Sequence, residues 1–511
     1  MLHSGPLLQP LLQLVEAKPD FVVLYNADHI LTAKELLQKS INVASGLSKK
    51  GFKKNDIAAI AAQPGEEFLE IMYAVIMLQG KIAIIDPEMG KENYAAKMKQ
   101  LQPQWMFIDS RLLLLQEHPF LKWTLLKIKK TLPNITLLKG TKLVAVGKGF
   151  PVIRRHISFS NLQKPALNSP AFIPDEGLSE NLIIYTSGTL QTPKGVLHTA
   201  KNLDESIRAL SKLFTQNKNT FVGTYLPHFM LLGIAAGLTV KLMRPDLPAT
   251  KKIDFIKKES IGILFGPPSD YMPLIKYCEQ KKEMLPACLQ HVMIGSAPVH
   301  VLFLKRLIAV LPPQTQITCT YGMTENLLVS VIDGRQKVLY KKDGDIAGKP
   351  VSGVNIIIAE DGEICIKSPQ MFSRYFHEEA SKEWHNTGDL GKIDEQGNII
   401  LSGRKKEMII RRNMNIYPAL YENTIKHIEG VDEAAMVGIY SEILHDEKVY
   451  LAVEGKGINV QTIKKQLANG AHSIDKEALP DHILKMTIPR KGRQNKIDRK
   501  AIIEYIKKSG L

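Results

Sequence analysis

The chain has 511 residues, 44% of them hydrophobic and 23% charged, which is too long for one compact core and too apolar for a disordered chain, so two or more domains are expected. Its four cysteines, Cys278, Cys288, Cys319 and Cys365, stand far apart without CxxC spacing or histidine-rich neighbours, which argues against a disulfide framework or a zinc site and for a reducing, cytoplasmic setting. The net charge of +16 is spread along the chain and its denser basic runs coincide with motifs suited to phosphate, so a solvated surface is the stronger reading over specific nucleic-acid binding, with peripheral membrane contact left open.

Residues 1–20 lack the basic start, long apolar run and cleavage site of a secretory signal, and read as a first amphipathic helix. Residues 22–25, 57–62, 82–85 and 182–185 are β-branched or apolar runs that read as buried strands. They alternate with longer amphipathic stretches, the pattern of α/β layers. The longest apolar stretches, 68–80 and 229–240, fall short of a membrane span of roughly 18 to 20 residues and read as core elements. After residue 185 a loop is expected to lead straight into a helix carrying Leu203, Ile207, Leu210 and Phe214 on one face. From about Gly353 short strands with turn signals follow, Asp361-Gly362 marking one hairpin and the segment GKIDEQGNIILSGR another. Beyond Gly403 the α/β alternation resumes for about 100 residues, enough for a small domain. The expected fold is α/β: a large N-terminal domain, residues 1–403, of stacked α/β subdomains plus a β-rich one, then a small α+β domain, residues 404–511. No internal repeat is seen, so a solenoid is disfavoured.

The strongest local signal is YTSGTLQTPKG at residues 185–195. The backbone and hydroxyl groups of Thr186, Ser187, Gly188 and Thr189 could turn toward a polyphosphate, with Lys194 as a point charge. The string is not the GxxxxGKS/T loop of nucleotide hydrolases, and alone it also suits a plain surface turn.

TSGT followed by PKG resembles the phosphate loop of the adenylate-forming superfamily of acyl-CoA synthetases, peptide-synthetase adenylation domains and luciferases, and further motifs follow in that family's order. Gly295-Ser296-Ala297-Pro298 resembles the segment that lines adenine. Tyr321-Gly322-Met323-Thr324-Glu325 resembles the next signature, in which the aromatic stacks on adenine, the threonine touches the α-phosphate and the glutamate holds Mg²⁺. Thr387-Gly388-Asp389 matches the ribose-binding aspartate, helped by Arg404; Lys406 falls at the hinge; and Asn495-Lys496-Ile497-Asp498-Arg499 matches the C-terminal lysine motif. The resemblance implies ATP and Mg²⁺, a mobile C-terminal lid, and conversion of a carboxylic acid to its acyl-adenylate. In that chemistry negative charge builds on both sides of the α-phosphorus, and Lys496 would meet it.

Three departures stand out: Leu190-Gln191 where the family has a hydroxyl residue and glycine, and Asn413 and Asn495 where it has glycine. They leave open a catalytically inactive nucleotide-binding relative. Phe229, Met230, Leu231 and Gly233 could form an acyl pocket, or serve as core. Residues 85–98, 227–240 and 263–274 look like the olefin-pathway β-lactone synthetases, whereas 409–418 look like ordinary acyl-CoA synthetases. A fatty or β-hydroxy fatty acid suits both, and the second acceptor stays open between CoA, an acyl-carrier protein and the substrate's own hydroxyl. A basic, nonenzymatic binding protein is the reading from another class.

Overall fold

The computed structural model describes residues 2–26, 29–85, 91–117, 140–147, 156–165, 172–185, 194–214, 221–224, 227–244, 247–342, 344–411, 414–441, 446–468, 478–491 and 495–510. Over these the α/β reading holds, and two large sheets organise it. An eight-stranded sheet has Ile57–Ala61, Lys81–Ile84 and Glu180–Tyr185 side by side and parallel near its middle. A thirteen-stranded sheet is parallel through Phe221–Thr224, Ile261–Gly266, His291–Ile294 and Gln316–Met323, then turns antiparallel at Asn326–Asp333. The strands expected at 22–25, 57–62, 82–85 and 182–185 all form, because β-branched and small apolar residues there are covered on both faces.

Two local expectations need correction. Residues 1–20 are not one helix: Leu2–Ser4 is a strand paired with Phe172–Pro174, and the helix begins only at Gln9, where Pro10 suits a first turn that needs no N–H. The loop after Tyr185 does not enter a helix either. It leads to a second strand, Gly195–Thr199, antiparallel to Glu180–Tyr185. Only then does the helix Ala200–Ser211 start, capped reciprocally by Thr199 and Asn202. Val196, Leu197 and His198 are buried, and three consecutive buried side chains suit a strand covered on both faces.

The hairpins at Gly362 and Gly397 form as read, each glycine at a positive φ of 82° and 80° respectively. Their strands extend the thirteen-stranded sheet to its far edge. From Ile409 onward the chain builds a separate hydrophobic cluster around Ile425, Met436, Leu451 and Ile463, on the sheet Glu433–Ser441, Asp446–Glu454 and His482–Lys485. Its last helix is Arg499–Ser509. The four cysteines are free, and among the described residues no helix is long and apolar enough to cross a membrane.

Candidate active site

The two large sheets meet at Thr324 and Glu325, in the turn that joins Gln316–Met323 to Asn326–Asp333. Groups from the other part of the fold hold this turn. His198, on the strand Gly195–Thr199, donates from Nε2 to the Thr324 carbonyl at 2.7 Å, and the Phe372 amide donates to the Glu325 carbonyl at 2.8 Å. Burial lowers the His198 pKa to about 4, so the ring is neutral at physiological pH. Asn326 is buried and fixed by bonds to Leu328 and Ser368.

Close backbone approach explains the glycines here. A Cβ on Gly295 would lie 2.1 Å from the Thr320 hydroxyl, and one on Gly322 would lie 2.2 Å from the Leu327 carbonyl. Neither position has room for a side chain. Ser296 follows with a positive φ of 63°, a strained conformation of the kind found at ligand sites. Ser296 and Pro298 are exposed and Ala297 half-buried, beyond the end of the strand His291–Ile294. Crevices beyond the carboxyl ends of parallel strands are the usual ligand sites in such sheets.

Asp389 is the best-defined centre of the site. It is buried, on the strand His385–Ile393, with its amide bonded to the Thr387 hydroxyl at 3.0 Å. Tyr321 donates its hydroxyl to Oδ2 at 2.6 Å, and Arg404 Nε lies 2.7 Å from Oδ1. Burial raises the Asp389 pKa, while Arg404 and Tyr321 pull it back toward the charged form. The same burial, reinforced by Asp389, pushes the Tyr321 phenol far up, so it stays a donor. Gly388, at φ 73°, points its amide at Glu363.

Lys496 comes to this centre from the far end of the chain. It is half-buried, and burial lowers its pKa, as does Arg404, with Asp389 and Glu407 opposing. Asn495 before it has a φ of 52°, a left-handed conformation that asparagine tolerates where the family has glycine. Lys405 is tied to Asp361 and Glu363 at 2.5 and 2.8 Å, whereas Lys406 is exposed in the turn Lys405–Glu407.

Lys194 borders the same region. Its ammonium lies 4.4 Å from the centre of the Tyr375 ring and 3.8 Å from Glu378. Thr186, Ser187, Gly188, Thr189, Leu190 and Gln191 lie outside the described residues, as does Asn413. Since a strand separates that loop from the helix Ala200–Ser211, anion binding there would rest on loop amides and hydroxyls rather than on the helix terminus.

Met230 is fully buried in the main core with Leu231 packed against it, and a Cβ on Gly233 would come within 2.4 Å of Val240. Gly233 thus lets the helix Pro227–Ala235 lie close on the strand Thr239–Leu242. The Phe229 side chain lies outside the described residues. Sequence reasoning did not single out Tyr375, His198, His385 or Glu407. His198 and Tyr375 lie within short strands beside recognised motifs, but nothing in their spacing marks them.

Comparison with known proteins bears on the family and the fold. A CoA ligase of Mycobacterium tuberculosis is 27% identical over 315 residues, which are 56% of this chain and only 60% of that protein. The 2-succinylbenzoate–CoA ligase of Bacillus licheniformis is 25% identical, over 84% of this chain and 85% of its own length. An olefin beta-lactone synthetase of Xanthomonas campestris is 24% identical, over 81% of this chain and 78% of its own. Among solved structures, o-succinylbenzoate coenzyme A synthetase from Bacillus subtilis, in complex with ATP and magnesium ion, superposes with a TM-score of 0.76 at 19% identity, covering 96% of this chain and 98% of that one. The fold is that of these adenylate-forming enzymes. The model of the AMP-binding enzyme family matches residues 12–376, most of the chain, and on that match the chain belongs to the AMP-binding enzyme family.

Proposed function

We propose that the chain activates a carboxylic acid with ATP, releasing pyrophosphate, and passes the acyl group from the adenylate to the thiol of CoA, releasing AMP. The observation that carries this reading is that Tyr321 and Arg404 meet on the buried Asp389 carboxylate with the desolvated Lys496 close by, four residues from four separate motifs. Asp389 and Arg404 would hold the ribose, and Tyr321 with Gly295, Ser296, Ala297 and Pro298 would line the base. Thr324 would contact the α-phosphate, and Thr186, Ser187, Gly188, Thr189 and Lys194 would hold the outer phosphates. Lys496 would stand between the attacking carboxylate and the α-phosphate, where a fixed cation in a water-poor setting stabilises developing charge best.

The residues fit Mg²⁺. Glu325 has one oxygen taken by Tyr375, at 2.8 Å, and its second has no hydrogen-bond donor among the described residues. A Mg²⁺ ion would be held there by that one carboxylate together with substrate phosphates. Such an ion supplies charge neutralisation of the departing pyrophosphate.

The acid in this reading is an apolar, fatty acyl substrate; this rests on the sequence resemblance, since Met230, Leu231 and Gly233 of the helix Pro227–Ala235 pack into the core. Residues 404–511 act as a lid that swings about Lys406, and the free cysteines suit a cytoplasmic enzyme. A second reading, β-lactone synthesis from a β-hydroxy acid, is favoured by the beta-lactone synthetase relative. Incubating the protein with ATP, Mg²⁺ and a β-hydroxy fatty acid, with and without CoA, and weighing the products tests both. A thioester that requires CoA supports the first reading and a lactone formed without CoA the second; absence of AMP and pyrophosphate under all conditions overturns both.

A further inference from the structure

Lys194 and Glu325 belong to motifs far apart in sequence, yet both touch a residue that belongs to neither. The Tyr375 hydroxyl donates to Glu325 Oε1 at 2.8 Å, and its ring carries the Lys194 ammonium 4.4 Å from its centre. The backbone under Tyr375 is firmly held. Its strand, Arg374–Tyr375, pairs with Gly195–Thr199, and Arg374 makes two hydrogen bonds to Glu180, at 2.7 and 2.8 Å. Lys81 bonds the same carboxylate at 2.8 Å. Burial would raise the Glu180 pKa, but the bonds from Arg374 and Lys81 outweigh it and hold the group down at about 2. Phe372 packs against the Tyr375 ring, with centroids 4.8 Å apart.

A cation and an anion this close in a binding site tend to pair and cancel. The Tyr375 ring is an uncharged spacer that attracts the ammonium through its π face without neutralising it. Among the described residues the anion paired with Lys194 is Glu378, at 3.8 Å, and both side chains are about half exposed, so water screens that pair.

We propose that Tyr375 is a positioning residue for the ATP–metal complex: its hydroxyl holds one Glu325 oxygen and leaves the other for the cation, while its ring seats Lys194 for the phosphates. The proposal rests on the roles given to Glu325 and Lys194 above. Two substitutions separate its two parts. Tyr375→Phe keeps the ring and removes the hydroxyl, whereas Tyr375→Leu removes both.

The test is calorimetric titration with a nonhydrolysable ATP analogue, with and without Mg²⁺, joined by electron paramagnetic resonance of Mn²⁺ bound in the presence of the analogue. For Tyr375→Phe the metal-free affinity should be unchanged, and the gain in affinity from Mg²⁺ should fall about tenfold or more, the loss expected for one hydrogen bond to a charged group. Mn²⁺ binding should weaken equally. Tyr375→Leu should also lower the metal-free affinity, by about two- to fivefold. Glu325→Gln is the reference and should remove most of the Mg²⁺ gain. If Tyr375→Phe keeps the wild-type gain while Glu325→Gln loses it, the inference is overturned and the reading of Glu325 stands. If Glu325→Gln also keeps it, the reading of Glu325 fails and the inference with it. Tyr375→Phe is nearly isosteric, and a wild-type melting temperature certifies its fold should the leucine variant not fold.

Discussion

Arg499 lies with its Nε 3.0 Å from Glu407, which ties the segment carrying Lys496 to the exposed turn Lys405–Glu407. The same guanidinium binds Glu422 at 2.6 and 2.9 Å, so the lysine segment, the turn and the helix Pro418–Ile425 form one unit. Glu407 and Glu422 both follow Lys406 in the chain, so in the proposed lid motion the backbone rotates at Lys406 while Glu407, the helix and the lysine segment are carried together. Proline would fix φ there without removing any packed side chain. Lys406→Pro should keep adenylate formation and suppress thioester formation. Equal loss of both half-reactions, measured separately by pyrophosphate release and CoA consumption, would refute the hinge.

Lys496→Ala should bind ATP nearly normally and lose adenylation by about 10²- to 10³-fold, the scale for one charge-stabilising donor. Because burial and Arg404 lower its pKa, the wild-type first step should also fail on the alkaline side at a pH below the ordinary lysine value of about 10.4. Lys496→Arg should move that limb upward, since guanidinium stays charged. A pyrophosphate-release profile with the same alkaline limb in both proteins would dissociate Lys496 from the step.

Asp389→Asn keeps the shape of the side chain and removes the charge that Arg404 faces. Only the aspartate of this pair is buried; the Arg404 side chain is about half exposed, so water solvates the guanidinium left behind and the fold should survive. Nucleotide affinity should drop about 10- to 100-fold, because the ribose then meets a weaker acceptor and a guanidinium without its anion. Tyr321→Phe should cost less, about fivefold, as one hydrogen bond is lost. Fluorescence titration with a labelled ATP analogue gives both values, and equal effects would mean that Tyr321, not the charge, dominates.

Glu70 is fully buried on the helix Glu66–Met77, with Oε2 accepting from Gln163 at 2.8 Å and Oε1 without a hydrogen-bond partner among the described residues. Burial, the leading cause, raises its pKa to about 7. The unfolded chain titrates near about 4.3, so between these values the folded state holds a proton that the unfolded state has lost. Stability from this group is complete below about 4.3 and is lost as pH rises through the folded value, by about 4 kcal/mol at most. Glu70→Gln should therefore raise the melting temperature at pH 8 and change it little at pH 5. Parallel melting curves at the two pH values would sink this account.

The sequence told most where a residue type has one structural use. Gly362 and Gly397 marked hairpins because few other residues accept their φ, and alternating apolar runs marked strands because both faces had to be covered. Asp389 and Lys496 were legible because they sit in recognisable strings. Tyr375 was not, since its importance lies in what it touches across the sheet, and a lone tyrosine in a two-residue strand carries no periodicity. The strand Gly195–Thr199 was missed for a related reason: five residues directly before a strong helix signal are too few to show a period of two.

The clamp of Arg374 on Glu180 also bears on how the protein comes to its native state. Its two partners are 194 residues apart in sequence, so the loop between them must close before the clamp gives anything back. Local helices and the parallel strand pairs around Ile57–Ala61 can form earlier, from shorter loops. The strand with Tyr375 joins its sheet only at that late closure, and with it the seat of Lys194 and the hold on Glu325. During refolding from denaturant, helical circular dichroism should thus return well before nucleotide binding does, and a chain still emerging from synthesis short of residue 374 would have most of its secondary structure and no phosphate side to its site.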